Sequence, residues 1–385
     1  MNGKPPTLDV DHMLDSAEIV VCCGAGGVGK TTTAAALALR AAERGRRTVV
    51  MTIDPAKRLA QSMGLNELTN EPSVVEGVDT AAGGELQAMM LDMKRTFDEL
   101  VISHSDPQRA EQILANPFYV ALSNSFAGTQ EYMAMEKLGQ LKRDGDWDLI
   151  VVDTPPSRSA LDFLDAPQRM SGFLEGRLIR ILLAPAKAGG KAYLKFISVG
   201  VNMITDLLNR LLGAQALKDL SRFVSSFESI FGGFQERAER TYALLQQPGT
   251  SFLVVAAPER DALREASYFA ERLEDEEMPL AGLVLNRVHS TAVPRLSPER
   301  ALAGAEALEE AEEEPLAAAV LRVHADRAGA ALRDRRMRDR FTSAHPGVAV
   351  VEVAAQAGDV HDLDGLRIIG ADLAAGAPAA MPTAG

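Results

Sequence analysis

The sequence predicts an α/β protein built on one doubly wound, mostly parallel β-sheet. Short apolar runs that suit buried strands alternate with helical stretches along most of the chain. The first strand, glycine turn and helix are followed at once by a second strand, which is the order of a βαβ unit with a right-handed crossover. The chain has 385 residues, 46% hydrophobic and 24% charged, which allows a large core.

Each predicted element depends on a local pattern. Buried strands are predicted at residues 18–23, 47–53, 85–93, 148–153, 251–257, 281–286 and 348–353. Helices are predicted at 31–43, where Gly45 ends the pattern, and at 94–116, 118–143 and 299–340. A polar leader is expected over residues 1–17 and a loose Ala/Pro/Gly tail over 374–385.

One interval breaks the alternation of strands and helices. Residues 170–245 offer no convincing strand, and two helical stripes run through them, from Ile197 to Leu211 and from Leu217 to Phe231. We expect an inserted α-helical subdomain at 170–245 and a sheet domain formed by 18–169 and 246–373. The stripes either pack as core or hold an apolar ligand, and the pattern leaves both interpretations open.

Charge and cysteine content narrow the function classes. A formal charge of -13 argues against the wide positive surface of a nucleic-acid-binding protein, so no nucleic-acid partner is expected. The two cysteines, Cys22 and Cys23, are adjacent and cannot build a disulfide framework, which suits a reducing cytoplasm. Neither a signal peptide nor an apolar span of ~20 residues is recognisable. The six histidines lack metal-ligand spacing.

The most specific motif follows the first strand. Residues Gly24 to Thr31 match G-x-x-x-x-G-K-[ST], a loop whose main-chain N–H groups surround phosphates at the start of a helix. In such a loop Lys30 reaches the terminal phosphates and Thr31 ligates Mg²⁺. A nucleoside triphosphate and Mg²⁺ are the expected cofactors. The predicted binding residues of the loop are Gly26, Gly27, Val28, Gly29, Lys30, Thr31 and Thr32.

Acidic residues stand at the carboxyl ends of two of the predicted strands. Asp54 stands at the end of the second strand, where it could position the attacking water or accept its proton; a helix-capping role is the alternative. Asp153 ends a central apolar strand and suits the magnesium side, bound directly or through water. The predicted catalytic residues are therefore Asp54 and Lys30, and the predicted metal ligands are Thr31, Asp153 and Asp54.

Six segments carry a family resemblance. They are, in order, CGAGGVGKTTTAAALA from Cys23, TIDPAKRLAQSMG from Thr52, AGTQEYMAMEKL from Ala127, VVDTPPSRSALDFLDAP from Val151, TSFLVVAAPERDALREA from Thr250 and LVLNRV from Leu283. Together they resemble the arsenical-pump ATPase family, which includes the cytosolic ATPase that targets tail-anchored membrane proteins.

The resemblance implies further roles. The nucleotide is ATP, Asp54 acts on the hydrolytic water, and Asp153 serves the magnesium side. Asn286 contacts adenine, and Glu131 lies near the interface of a nucleotide-driven dimer. The helical insertion forms an apolar groove in the targeting branch of the family.

The sequence also departs from the family pattern. The phosphate loop of the family usually has an additional lysine where this chain has Ala25. Such a charge can be worth ~10³ or more in rate, and Lys57, Arg58, Arg158 or a paralogous partner could replace it. The zinc-binding C-x-x-C of the targeting branch and the separated arsenite-binding cysteines of the pump are both absent. Cys22 and Cys23 are expected to point to opposite faces of one strand.

The sequence is compatible with three functions. The first is a cytosolic, Mg-ATP-dependent dimeric switch that couples hydrolysis to binding of a hydrophobic client or a membrane-associated partner, with peripheral membrane location expected. The second is the motor subunit of an arsenite or anion pump. The third is a weakly active, ATP-binding regulatory subunit that forms a heterodimer with a paralogue.

Overall fold

The computed structural model describes residues 6–54, 58–65, 67–117, 119–120, 129–155 and 233–376. The strands within these ranges are β1 Ile19–Cys23, β2 Arg47–Thr52, β3 Ser73–Val74, β4 Glu85–Met90, β5 Leu149–Asp153, β6 Thr250–Ala256, β7 Leu280–Val288 and β8 Val350–Ala354. The helices are α1 Val10–Ser16, α2 Lys30–Glu43, α3 Arg58–Ser62, α4 Met93–Ser103, α5 Pro107–Leu114, α6 Thr129–Asp144, α7 Phe234–Leu245, α8 Arg260–Asp275, α9 Pro298–Glu310, α10 Pro315–Ala344 and α11 Leu363–Ala375.

The strands form one sheet in the order β3-β4-β2-β5-β1-β6-β7-β8. Only β3 among the described strands runs antiparallel to its neighbour. Asp153, the last residue of β5, pairs with Cys22 of β1 on one side and with Thr52 of β2 on the other. The predicted α/β class is confirmed, and the carboxyl ends of β1, β2 and β5 meet at one edge of the sheet.

Helix α2 packs on the centre of this sheet through small side chains. Its contacts include the strands β1, β2 and β5 and the helix α11. Every alanine of the helix is buried, and these residues are Ala34, Ala35, Ala36, Ala38, Ala41 and Ala42. Methyl side chains let the helix axis approach the sheet closely, so the loop before α2 is held against the ends of the central strands.

The segment expected to be a leader contains helix α1. Asp9 caps it by accepting a hydrogen bond from His12 N at 3.0 Å, and Leu14 is completely buried. Two of the acidic residues that make this segment look polar, Asp11 and Asp15, pair with arginines that lie in α2 or directly after it. Arg40 donates two hydrogen bonds to Asp11, at 2.6 and 2.8 Å. Residues 10–16 are thus part of the folded unit, because their charges find partners distant in sequence.

Two helix starts differ from the sequence prediction. Asp92 accepts a hydrogen bond from Arg95 N and caps α4, which ends the strand predicted at 85–93 after Met90. The single helix predicted at 94–116 is divided into α4 and α5. Asp106 caps α5 and Pro107 occupies its first turn, so the intervening backbone leaves the helical conformation.

The chain forms two compact units. The described residues of the first are 6–90, 144–155 and 245–376, and those of the second are 91–143 and 233–244. Residues 91–143, which the sequence pattern assigns to the sheet domain, group with α7 in the second unit. Two ion pairs with buried members hold the second unit together, Glu136 with Arg237 and Lys137 with Glu99.

Several predictions fall outside the described residues. These are Lys57, Arg158, the side chain of Glu131, both striped helices of the expected insertion at 170–245, and the end of the tail. Helix α11 itself continues to Ala375 and is closed by Gly376, which has a φ of 78°. No described helix has the combination of length and apolar character that a membrane span requires.

We expect Leu14→Ala to lower the free energy of unfolding by about 3 kcal/mol, because it leaves a cavity under α1. Asp15→Asn is the control from the same helix, since its ion pair with Arg44 is partly exposed and such pairs contribute roughly 0.2–1 kcal/mol. Urea unfolding measures both changes. Equal, negligible effects would show that α1 adds nothing to the stability of the fold.

Candidate active site

The phosphate loop joins β1 to α2 and requires glycine at two positions. Gly24 has a φ of 147°, and a Cβ there would lie 2.1 Å from the carbonyl oxygen of Val255. Gly29 has a φ of 95°, and a Cβ there would lie 2.2 Å from Nδ2 of Asn286. Gly29 is also the N-cap of α2 and makes no side-chain cap. The first N–H groups of α2 therefore point to the edge where a phosphate would bind.

Lys30 lies in this loop and is only 5% exposed. Its Nζ donates a hydrogen bond to the carbonyl oxygen of Ala25 at 2.8 Å. Burial lowers the pKa of Lys30, while the nearby Asp153 acts in the opposite direction. An ammonium group has three N–H donors, so the bond to Ala25 orients the side chain and leaves donors for phosphate oxygens.

Asp153 is the most deeply buried charged group of the site, with no exposed surface. Its Oδ2 accepts hydrogen bonds from Thr31 Oγ1 at 2.8 Å and from Thr52 Oγ1 at 2.9 Å. Burial raises the pKa of Asp153 to about 6. Its Oδ1 is buried and has no hydrogen-bond partner. A partnerless carboxylate oxygen next to the hydroxyl of Thr31 suits Mg²⁺ or a magnesium-bound water, so the residues fit this ion.

Asp54 lies beyond the end of β2 and lines a cavity together with Lys30 and Thr31. Its backbone N–H donates to Thr52 Oγ1 at 3.2 Å, and that hydroxyl in turn donates to Asp153. One threonine hydroxyl therefore connects the two acids that the sequence analysis selected. Arg58 Nη1 is 3.9 Å from Asp54 Oδ2, so one of the residues that the sequence offered in place of the missing lysine is located at the site.

Two neighbouring cavities lie along this edge of the sheet. The first has a volume of about 340 Å³ and contains the predicted phosphate-loop and acidic residues Gly27, Gly29, Lys30, Thr31, Thr32 and Asp54. The second has a volume of about 500 Å³ and lies towards the ends of β7 and β8. Both are lined by Gly29, Thr32, Arg287, Asp359 and Val360. Together, the two cavities are large enough for a ligand that has a charged part and a larger second part.

Asn286, the predicted adenine contact, lines the second cavity. Its Nδ2 donates to the carbonyl oxygen of Val28 at 2.8 Å, and its Oδ1 accepts from Arg287 N at 2.9 Å. The first bond connects the end of β7 to the phosphate loop, and the second lies within β7. The amide keeps one N–H, so Asn286 supports the loop and can still contact a base.

Sequence reasoning missed three contributors to the site. Thr52 gave no signal beyond its place at the end of β2, where it pairs with Asp153. Arg287 follows the selected Asn286 and lines both cavities. Residues 359–361 line the first cavity and belong to the connection between β8 and α11. The sequence of this connection carries no recognised motif.

The cysteines of β1 are completely buried. Burial raises the pKa of Cys23 to about 12 and that of Cys22 well above its usual value. Both thiols are therefore neutral, whereas soft metals and metalloids bind thiolates. Among the described residues, no cluster of three or more His, Cys, Asp or Glu side chains could hold a metal ion.

The fold and this edge of the sheet define a class of protein, the P-loop nucleotide hydrolases. The chain belongs to the anion-transporting ATPase family, whose model matches residues 17–300. The class and family expected from the sequence are thereby confirmed.

Three similar proteins carry ATPase names. ATPase GET3 of Malassezia globosa is 26% identical over 64% of this chain and 60% of its own length. ATPase ARSA2 of Chlamydomonas reinhardtii is 28% identical over 75% of this chain and 73% of its own length. The ATPase ASNA1 homolog of Cryptosporidium parvum is 26% identical over 74% of this chain and 68% of its own length.

The raised pKa of Asp153 predicts a pH dependence of the metal-free protein. The native state keeps this proton up to about pH 6, while the unfolded state loses it near 3.8. Stability should therefore fall by about 2 kcal/mol as pH rises from 4 to 6. Asp153→Asn should flatten this slope and abolish the stabilisation by Mg-ATP at pH 7. Urea unfolding in EDTA measures the slope, and parallel profiles for the two proteins would contradict the assignment.

Proposed function

We propose that this chain hydrolyses ATP with Mg²⁺ at the site described above, and that the nucleotide cycle switches a dimer that binds a hydrophobic client or a membrane-associated partner. The observation that carries the catalytic proposal is the buried Asp153. One of its oxygens is fixed by Thr31 and Thr52, and the other has no hydrogen-bond partner.

Each residue of the site has its own role in hydrolysis. The N–H groups of the loop and the start of α2 bind the phosphates, and Lys30 adds a positive charge to them. Thr31 and Asp153 would hold Mg²⁺, and Asp54, just beyond the end of β2, would take part in its site. Bound Mg²⁺ supplies neutralisation of the negative charge on the phosphate oxygens.

Asp54 is the proposed group that acts on the water. It lies in the cavity that contains the phosphate loop, and 13% of its side chain is exposed. A carboxylate in that position can orient a water molecule and accept its proton. The hydrogen bond from Asp54 N to Thr52 Oγ1 fixes the start of the segment that carries this side chain.

The dimeric, client-binding part of the proposal rests on the family resemblance. Relatives named ATPase GET3 and ATPase ASNA1 homolog match about two thirds to three quarters of this chain. The striped sequence between residues 197 and 231 is the proposed client-binding segment. A cytoplasmic location, with peripheral attachment to membranes, belongs to the same proposal.

A regulatory subunit in a heterodimer is the second candidate, and Ala25 is the observation that favours it. Without the additional lysine the loop lacks one positive charge, which would slow hydrolysis by the chain alone. Arg58 in the cavity argues for a replacement within the chain itself. The neutral, buried thiols of Cys22 and Cys23 argue against the remaining candidate, the motor subunit of an arsenite pump.

Asp54→Asn tests the catalytic proposal. The amide keeps the size of the side chain but cannot accept the proton of water, so we expect kcat to fall by roughly 10²- to 10⁴-fold. The affinity for ATP should change by less than about threefold, because the phosphate loop is intact. Asp146→Asn, at an acid with 92% of its side chain exposed, is the control. Unchanged turnover in Asp54→Asn would refute the role.

The dimer and client proposals need a separate measurement. With Mg-ATP, the Asp54→Asn protein should double its mass from the 41.2 kDa of one chain in light-scattering chromatography. The reason is that this variant does not hydrolyse ATP and therefore stays in the ATP-bound, dimeric state. Crosslinkers placed between residues 190 and 235 should then capture an apolar helical peptide but not a charged one. A monomer in every nucleotide state, or equal capture of both peptides, would overturn this part.

A further inference from the structure

Arg287 has an unusual backbone conformation at the end of β7. Its φ is 60°, in the left-handed region that favours glycine. The pairing of β7 with β8 shifts register between Leu285 and Val288, so Arg287 lies in a bulge. Bulges redirect side chains and are frequent next to active sites. A strained residue persists where the surrounding structure holds it, and such residues cluster at functional sites.

The hydrogen bonds around this residue hold the strained conformation. Asn286 Oδ1 accepts from Arg287 N at 2.9 Å, while the amide of Asn286 donates to Val28 in the phosphate loop. The backbone of Arg287 is thus linked to the phosphate loop through one side chain. Any displacement of the loop would be transmitted to the position of this arginine.

The charge of Arg287 is exposed and uncompensated within the described part of the chain. No ion pair joins it to a described carboxylate. Of the other two cations in the first cavity, Lys30 donates one hydrogen bond to Ala25 and Arg58 lies 3.9 Å from the carboxylate of Asp54. Arg287 also lines both cavities, at the junction between the phosphate side and the second part of the site.

We propose that Arg287 binds the polyphosphate of the nucleotide at the junction of the two cavities and supplies positive charge that the loop lacks at Ala25. A guanidinium group is suited to this task because its planar set of donors matches phosphate oxygens. The proposal rests on the nucleotide site of the preceding section and adds a binding residue to it. It also explains why arginine, rather than glycine or asparagine, occupies a left-handed position.

The main alternative use of the same side chain is stacking on the base. A guanidinium can lie flat against an aromatic ring, and Arg287 also borders the second cavity. The two uses differ in what the ligand must contain. Phosphate binding requires the polyphosphate and weakens with salt, whereas stacking requires only the base.

The experiment compares Arg287→Asn, Arg287→Gly and Arg287→Lys with the native chain by calorimetric titration of Mg-ATP, Mg-ADP and adenosine. Asparagine and glycine accept the left-handed backbone and remove the charge, so both variants should lose about 10- to 100-fold in affinity for ATP and ADP. Their melting temperatures should rise by roughly 1–3 °C, because strain is relieved. Arg287→Lys should lose less affinity. Arg295→Asn is the matched control, since this exposed arginine lines neither cavity.

The outcomes are distinguishable. If the native chain binds no ATP, the nucleotide site itself is wrong. If the native chain binds ATP and both neutral variants bind it equally well, only the role of Arg287 is refuted. If adenosine binding falls as much as ATP binding, and added salt does not narrow the difference, the side chain stacks on the base and the phosphate proposal is overturned.

Discussion

The site depends on one buried carboxylate and the two hydroxyls that bind it. Asp153 lies at the end of β5, Thr52 at the end of β2 and Thr31 in the first turn of α2, and the three side chains meet at one oxygen. Removing a carboxylate from water is unfavourable, and the hydroxyl donors and the charge of Lys30 offset part of that cost. This cluster fixes the start of α2 relative to the strands, and with it the direction of the phosphate loop.

The phosphate loop is also supported by strands β6 and β7, which lie on the other side of β1 from β5 and β2. Gly24 lies against the backbone of β6 at Val255, and Asn286 of β7 holds the carbonyl of Val28. The conformation of the loop is therefore set by strands on both sides of β1 as well as by its own glycines. The same arrangement brings Arg287 to the cavities, so positive charge can reach the nucleotide site from a strand distant in sequence from Ala25.

The sequence was informative where a structural requirement is local. Three features depend on neighbours in the chain, and the structure has each of them: the glycine spacing in the loop, the apolar runs of the central strands, and the acids at the carboxyl ends of β2 and β5. It was less informative where polar residues find distant partners. Asp11 and Asp15 suggested a polar leader, yet Arg40 of α2 pairs with Asp11 and Arg44, just after α2, pairs with Asp15, so α1 is part of the folded unit. Asp106 and Pro107 carried a local signal that divides the helix predicted at 94–116.

By itself the sequence determined the fold class and the phosphate-loop motif, and it placed Asp54 and Asp153 at the carboxyl ends of strands, because strand periodicity and motif spacing encode these features directly. Only the tertiary structure decided that Thr52 joins Asp54 to Asp153 and that Asp153 is fully buried. The tertiary structure also decided that Arg287 lines both cavities. These features arise from the register of parallel strands whose partners are separated by many residues along the chain. Burial and strand register are properties of the assembled sheet, so no local pattern encodes them.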